Sequence, residues 1–302
     1  MNDDGTERAV EAYLRDGDPT TVTRLRFLQR VWATQREVAA RPPAYRPPGH
    51  EDAQRALAAA RPLFALAPPH LPADDYRAIV RRMAANVARH AGLASVQSDA
   101  LRDVDVAAAL PDRRIARAAI DPRGFIDEAS EVLSAQSEGV VTRATAAFVV
   151  LSALTPFLIG AAAAALASLD DAEHATWGSL ACPVCGSPAS LGVVSESTSQ
   201  RRGGRRLWCV VCHTGWGFDR LRCARCGTRA AAKLHYAYDE RDPAHRVHLC
   251  DECHGYLRVV FARDLDKPLS MPVEEAVSVG LDALACAQGY TASGDGGRGK
   301  GS

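Results

Sequence analysis

Residues 182–213 read CPVCGSPASLGVVSESTSQRRGGRRLWCVVCH, and residues 223–254 read CARCGTRAAAKLHYAYDERDPAHRVHLCDECH. Each stretch opens and closes on a Cys-x-x-Cys pair. The displacement that carries Cys182 onto Cys223 also carries Cys185 onto Cys226 and Gly186 onto Gly227. It carries Cys209 onto Cys250, Cys212 onto Cys253 and His213 onto His254 as well. The gap inside each copy is therefore the same, and the gap between the copies is shorter. This is an internal duplication of one small unit.

Two cysteines separated by two residues sit on a tight turn with both sulfurs on one side. Two such turns facing each other form a tetrahedral cage of four thiolates, which suits zinc or a single iron. The interval inside each copy reads as a hairpin. In the first, Leu191–Ser197 and Arg205–Cys209 flank a Gly203-Gly204 turn; in the second, Leu234–Tyr238 and His245–Cys250 flank Asp239–Pro243. The hairpin returns the second pair onto the first. Neighbouring pairs are therefore expected to share an ion: Cys182, Cys185, Cys209 and Cys212 in one site, Cys223, Cys226, Cys250 and Cys253 in the other. A crossed arrangement needs more rearrangement of the chain. Gly186 and Gly227 fit a turn that requires positive φ. Disulfides and thioredoxin-type redox pairs account for this spacing less well than metal does.

The chain of 302 residues has no net charge, so nothing at the level of the whole protein calls for a polyanionic partner. The charge is uneven, however. Residues 182–261 hold 12 Lys and Arg against 7 Asp and Glu, a net +5 that the remaining residues offset. Eight paired cysteines with one left over fit a reducing compartment better than a secreted disulfide framework. Met1–Glu11 is polar and acidic and lacks the apolar core of a signal peptide. The expected location is cytoplasmic. Ala144–Leu169 is uncharged and long enough to cross a bilayer, but it is rich in alanine and interrupted by Thr155-Pro156. Its ends have neither an aromatic belt nor a Lys/Arg bias. It reads as two buried helices, or one kinked at Pro156.

Residues 1–178 read as an all-helical domain. Val22, Leu25, Leu28, Val31 and Trp32 give Pro19–Ala40 a helical stripe that the Pro42–Pro48 loop ends. Further helices are expected at Ala53–Leu66 (kinked or split at Pro62 and ended by Pro68-Pro69), from an Asp74 or Asp75 cap to Gly92, at Ser98–Leu110, Ile115–Ile120 and Gly124–Gln136. The cysteine units span 179–219 and 220–262, with a short strand at Leu257–Ala262. In 263–290, a helix from Val273 to about Gln288 presents Val273, Val277, Leu281 and Leu284, with Pro272 near its start and Gly289 past its end. Residues 291–302 are Gly/Ser-rich and read as a disordered tail.

His213 and His254 would exceed four ligands per site, so they are expected to orient the turns or donate to sulfur. Cys286 reads as a buried structural thiol. Arg201, Arg202, Arg205 and Arg206 surround the glycine turn as a basic tip, with Trp208 nearby and Trp216 beyond it. The pairs Asp127/Glu128 and Asp170/Asp171 look like solvated helix faces. There is no Ser/His/Asp grouping, phosphate-cradling loop or His-Glu-x-x-His motif, and closed four-thiolate sites leave no coordination position for substrate. The chain does not read as an enzyme.

The runs Cys182–Gly186, Arg206–Cys212 leading to Trp216, Leu221–Cys226, Leu234–Tyr236 and Cys250–Cys253 followed by Gly255–Leu257 resemble the formate dehydrogenase accessory protein FdhE family. Glu275–Val277 through Leu281-Asp282 to Gly289-Tyr290 is similar as well. Two departures are Gly215, where a charged residue would precede the tryptophan, and the Gly-rich C-terminal tail. The resemblance implies an α+β protein: an N-terminal all-helical domain, two tandem rubredoxin-like (zinc-ribbon) metal domains and a C-terminal helix. It also implies a non-enzymatic cytoplasmic factor that binds the formate dehydrogenase catalytic subunit during maturation. The eight cysteines would hold two ions, iron or zinc. Arg201, Arg202, Arg205, Arg206 and Trp216 are candidate partner-binding residues, and self-association is a further option. Two alternatives stay open: a zinc-ribbon nucleic-acid binder using the same tip, and a redox or sulfur-relay protein.

Overall fold

The computed structural model describes residues 3–167, 169, 177–195 and 204–292. Arg201, Arg202 and Gly203, the Asp170/Asp171 pair, and the tail from residue 293 lie outside them. The helical region comprises α1 (Asp3–Asp16), α2 (Pro19–Ala39), α3 (His50–Ala58), α4 (Ala73–His90) and α5 (Ser95–Asp103). It continues with α6 (Val106–Ala109), α7 (Asp112–Ile115), α8 (Pro122–Gln136) and α9 (Arg143–Leu166).

Helix α9 is the hub of this region, with α2, α4 and α8 packed around it. It is the one helix among the described residues long and apolar enough to cross a membrane, yet most of it is buried inside the protein. Pro156 does not divide it. Proline lacks the N–H that would bond the Ser152 carbonyl four residues back; instead Gln35 Nε2, from α2, donates to that oxygen at 2.9 Å. A buried carbonyl is satisfied from a neighbouring helix, so one continuous helix stands where two were an option. Tyr76 of α4 is fully buried, and its hydroxyl reaches the Val150 carbonyl at 3.1 Å.

Several helix boundaries differ from expectation for local reasons. Asp74 and Asp75 lie in the first turn of α4, and Pro72 is its cap. Asp105 accepts from the N–H groups of Ala107 and Ala108, so the expected Ser98–Leu110 helix restarts there as α6. The split expected at Pro62 falls slightly earlier: Ala60 takes positive φ after α3, and Pro62 caps a 3-10 turn at Leu63–Ala65. Helix α1 was not legible as an element, because its apolar stripe, Ala9, Val10, Ala12, Tyr13 and Leu14, is short and set among polar and acidic residues.

The two copies build one sheet. β1 (Leu191–Val194), β2 (Arg205–Trp208) and β3 (Gly215–Phe218) come from the first, and β4 (Leu234–Tyr238), β5 (His245–Cys250) and β6 (Gly255–Phe261) from the second. Each copy is a three-stranded antiparallel meander. The strand order is β3-β2-β1-β6-β5-β4, joined by a parallel β1–β6 pairing that sets Leu191 opposite Arg258.

The last helix is two, α10 (Met271–Val277) and α11 (Gly280–Ala287). Arg258 Nη1 donates to the Glu275 carbonyl at 2.7 Å, taking the acceptor that a continuous helix would use next. The break shifts the helical phase. Val273, Ala276 and Ala285 are buried, whereas Cys286 is exposed. Cys286 is thus a surface thiol, in correction of its reading as a buried one.

Candidate metal centres

The topology brings the eight paired cysteines into two clusters, each drawn from one copy. In the first, Cys182 and Cys212 sulfurs are 3.5 Å apart, as are those of Cys185 and Cys209. In the second, the Cys223–Cys253 and Cys226–Cys250 separations are 3.9 and 3.8 Å. Within each group all sulfurs lie within 4.8 Å of one another. A tetrahedron with metal–sulfur bonds of about 2.3 Å has sulfur–sulfur edges of about 3.8 Å. The donor set and spacing therefore fit one four-thiolate ion per copy, zinc or iron alike.

The four Cys-x-x-Cys turns each end on a residue of positive φ, and three close on a backbone hydrogen bond. The N–H of Gly186, His213 and Gly227 returns to the carbonyl of Cys182, Cys209 and Cys223, respectively, at 2.9–3.1 Å. Gly186 and Gly227 have φ of +76° and +80°, and His213 and His254 take the same left-handed conformation at +59° and +52°. The histidines thus fill the glycine position of the second turn in each copy. That is an orienting role, not a fifth ligand. His213 also packs against Trp208, with ring centroids 5.1 Å apart.

Electrostatics favour a cation in both cages. Burial pushes the Cys209 and Cys212 thiols well above their usual range. Burial also acts to raise Cys185, but interactions with the neighbouring sulfurs of Cys182, Cys209 and Cys212 outweigh it and hold that thiol low. In the second cage, burial opposes ionisation of Cys223 while the N–H groups of Cys226 and Arg225 favour it. Those N–H groups approach its sulfur at 3.5 and 3.3 Å. Cys250 is pushed up to about 11, chiefly by burial. Within each cage ionisation is favoured at one sulfur and opposed at two others, which is the situation a divalent ion resolves.

The two cages differ in cover. All four cysteines of the first are buried, and the helical region closes over them: Leu63 and Phe64 donate their N–H groups to the Pro183 and Val184 carbonyls at 2.9 Å each. A Cβ on Gly186 would meet Pro62 at 3.2 Å. In the second cage Cys226 is exposed and Cys253 half-buried. Chelation followed by alkylation is expected to label Cys286 at once, then Cys226 and Cys253, and Cys182, Cys185, Cys209 and Cys212 last. Mass spectrometry of the labelled cysteines gives the order; simultaneous labelling of both cages would contradict it.

A protein from Aquifex aeolicus named Protein FdhE homolog is 34% identical over 120 residues, 39% of this chain and 41% of the relative. Protein FdhE of Escherichia coli K12 is 34% identical over 113 residues, 37% of this chain and 35% of its own. The crystal structure of the FdhE protein from Pseudomonas aeruginosa superposes with a TM-score of 0.57. It covers 95% of this chain and 91% of that one at 20% identity, so it speaks for the fold alone. The likeness is to FdhE proteins in part of the sequence and to an FdhE structure in fold. No family model matches the chain. The sequence matches to FdhE relatives span about two fifths of those proteins' length; the FdhE fold runs almost end to end.

Of the expected partner-binding residues, the described ones, Arg205, Arg206 and Trp216, do not share one exposed surface. Arg206 is exposed on β2, its Nη2 near the Gly215 carbonyl at 3.4 Å. Arg205, beside it, points the other way and is fully buried, and Trp216 is 3% exposed. Successive strand residues face opposite sides, so Arg205 and Arg206 cannot both belong to a solvent-facing tip. Sequence reasoning missed β3 and the buried His245–Glu274 pair, whose side chains meet at 2.6 Å. The displacement that overlays the two copies carries Gly215–Phe218 onto Tyr256–Val259 and was the signal for β3. Nothing in the sequence links positions 245 and 274.

Proposed function

We propose that this protein is a non-catalytic accessory factor for formate dehydrogenase that binds the catalytic subunit in the cytoplasm during maturation. The observation that carries this reading is the combination of FdhE relatives in sequence with the FdhE fold along 95% of the chain. The physical architecture is consistent with such a role. Two closed four-thiolate cages offer no position for substrate. They hold short meanders rigid, and the helical region and the sheet then present fixed surfaces to a client. Arg206, exposed on the first meander, is one point of contact in this reading, together with Arg201 and Arg202.

A tagged, full-length chain expressed with its host's formate dehydrogenase is expected to co-purify with the catalytic subunit, and its deletion to abolish formate oxidation. Charge reversal at Arg201, Arg202 and Arg206 is expected to weaken capture by roughly tenfold, mainly through slower association. Normal formate dehydrogenase activity in the deletion strain would refute the accessory role. Unaltered capture by the reversed variant would remove only those arginines from it.

A further inference from the structure

The two copies differ at the second Cys-x-x-Cys turn of each. In the overlay of the copies, the counterpart of Trp208 is Leu249 and that of Val210 is Asp251. His213 meets an aromatic partner, Trp208, inside its own copy. The ring partner of His254 comes from outside: it is Tyr290, just past α11, with centroids 5.8 Å apart. The Tyr290 hydroxyl donates to Asp251, and His235 of β4 lies edge-on to the same ring at 6.1 Å. Leu249 and Tyr290 belong to one small apolar cluster. Both differences between the copies thus lead to one side chain.

The backbone shows the same arrangement. Gly186, His213 and Gly227 close their turns through an N–H to the carbonyl of the first cysteine, whereas His254 makes no such bond among the described residues. Its own carbonyl instead accepts from the Thr291 N–H at 2.8 Å, and the Thr291 carbonyl accepts from the Tyr256 N–H at 3.1 Å. Gly255 and Thr291 lie side by side as a parallel bridge. His254 holds φ of +52°, a left-handed conformation that costs a residue with a Cβ. The tie on its carbonyl opposes that strain.

The segment reaches the turn because α11 ends abruptly. Gly289 takes φ of +84°, and the N–H groups of Gly289 and Tyr290 return to the Cys286 and Ala285 carbonyls at 3.0 and 3.1 Å. This closing pattern satisfies the last turn of the helix and redirects the chain. Tyr290 is half-buried while His235 and His254 are exposed, so the grip is made at the surface, where local opening costs little. The centre it borders is the more open one, with Cys226 exposed and Cys253 half-buried.

We propose that Gly289–Thr291 is a latch on the second metal centre, whose release frees the Cys250–Cys253 turn for loss and reloading of the ion while the sheet stays folded. The proposal rests on the reading of both cages as metal centres. Tyr290 and Thr291 act as positioning residues, because they hold the turn that carries two of the ligands. The first centre is held differently, by Leu63 and Phe64 of the helical region on its Cys182–Cys185 turn. One ion is therefore fixed and the other exchangeable.

The test follows zinc loss from the loaded, full-length chain in excess chelator, with alkylation mapped cysteine by cysteine over time. Tyr290→Ala is expected to speed the loss of protection at Cys250 and Cys253 by roughly 10-fold. Tyr290→Phe keeps the ring contacts and loses the Asp251 bond, and should give a smaller gain of about threefold. At Gly289 a Cβ would meet no other atom, so Gly289→Ala strains the backbone without removing a contact and should speed loss about fivefold. Cys182, Cys185, Cys209 and Cys212 should keep the parent's rate in every variant. Hydrogen exchange of the 251–255 amides should quicken while that of β1, β5 and β6 stays unchanged. Unaltered protection in Tyr290→Ala, equal acceleration at both centres, or ion loss that occurs only when β5 and β6 exchange would each overturn the latch alone. A parent chain that binds neither zinc nor iron would overturn the metal reading beneath it as well.

Discussion

Serine in place of Cys209 is expected to strip the first cage of its ion and to unfold the sheet along with it. Cys209 is fully buried, and its cage lies inside the main hydrophobic core, among Leu63, Phe64, Val184, Leu207 and Trp216. β1 and β2 have only four residues each, too few to order themselves through pairing alone. A structural four-thiolate ion contributes about 10–16 kcal/mol to folding at neutral pH. That is comparable to the entire stability of an ordinary domain, about 5–15 kcal/mol. The Leu63 and Phe64 bonds to the first turn mean that the damage also reaches the helical region. Cys226→Ser, at the exposed corner of the second cage, is the comparison. It should lose one ion, keep the first, and retain most of its secondary structure. Circular dichroism with metal analysis on both variants decides the matter. A Cys209→Ser protein that melts like the parent and still carries two ions would overturn the claim that the first cage holds the fold.

The cages were legible in the sequence because their chemistry is local and repeated. Eight cysteines at two identical spacings permit few arrangements, and the neighbour pairing expected from the hairpins is the one that brings the sulfurs together. The helical character of the N-terminal region was legible for a similar reason: a stripe such as Leu25, Val31 and Trp32 recurs within one element. What depended on distant groups was not. Pro156 reads as a break until Gln35, far earlier in the chain, supplies the missing donor. The last helix reads as continuous until Arg258 takes the Glu275 carbonyl. Arg205 reads as part of a solvated tip because four nearby arginines in sequence suggest water. Its burial follows from strand alternation and from a second cage that only the duplicated sheet brings alongside. The joining of two meanders through β1 and β6 is likewise a fact of the sheet, not of either copy.

A second large effect is expected from the polar clasp that ties the two ends of the chain together. His245, on β5, lies between two carboxylates: its Nε2 meets Glu274 Oε2 at 2.6 Å and its Nδ1 meets Asp242 at 2.9 Å. Glu274 is fully buried on α10 and also accepts from the Tyr13 hydroxyl of α1 at 3.0 Å. Thr6 and Ser270 share a hydrogen bond at 3.1 Å alongside. Burial alone would lower the pKa of His245, but hydrogen bonds to Asp242 and Glu274, and their charges, overcome it and raise it to about 9. Burial, with the Glu274 charge, pushes the Tyr13 phenol upward, so it stays a protonated donor. The folded state therefore holds a proton more tightly than the unfolded chain. The stabilisation is complete below pH about 6.5 and fades as pH rises through about 9, on the order of 3 kcal/mol in all. Glu274→Gln keeps the shape and removes the charge, leaving the imidazolium short of a partner. It should cost about 3–5 kcal/mol near neutral pH, as breaking a buried pair does. It should also flatten the pH dependence, because His245 would then titrate closer to its ordinary range. Denaturant unfolding of parent and variant at pH 6, 7.5 and 9 separates these effects. Equal stability of the parent at pH 6 and pH 9 would mean that the clasp is neutral, and that packing of Ala9, Val10 and Val273 alone holds α1 to α10.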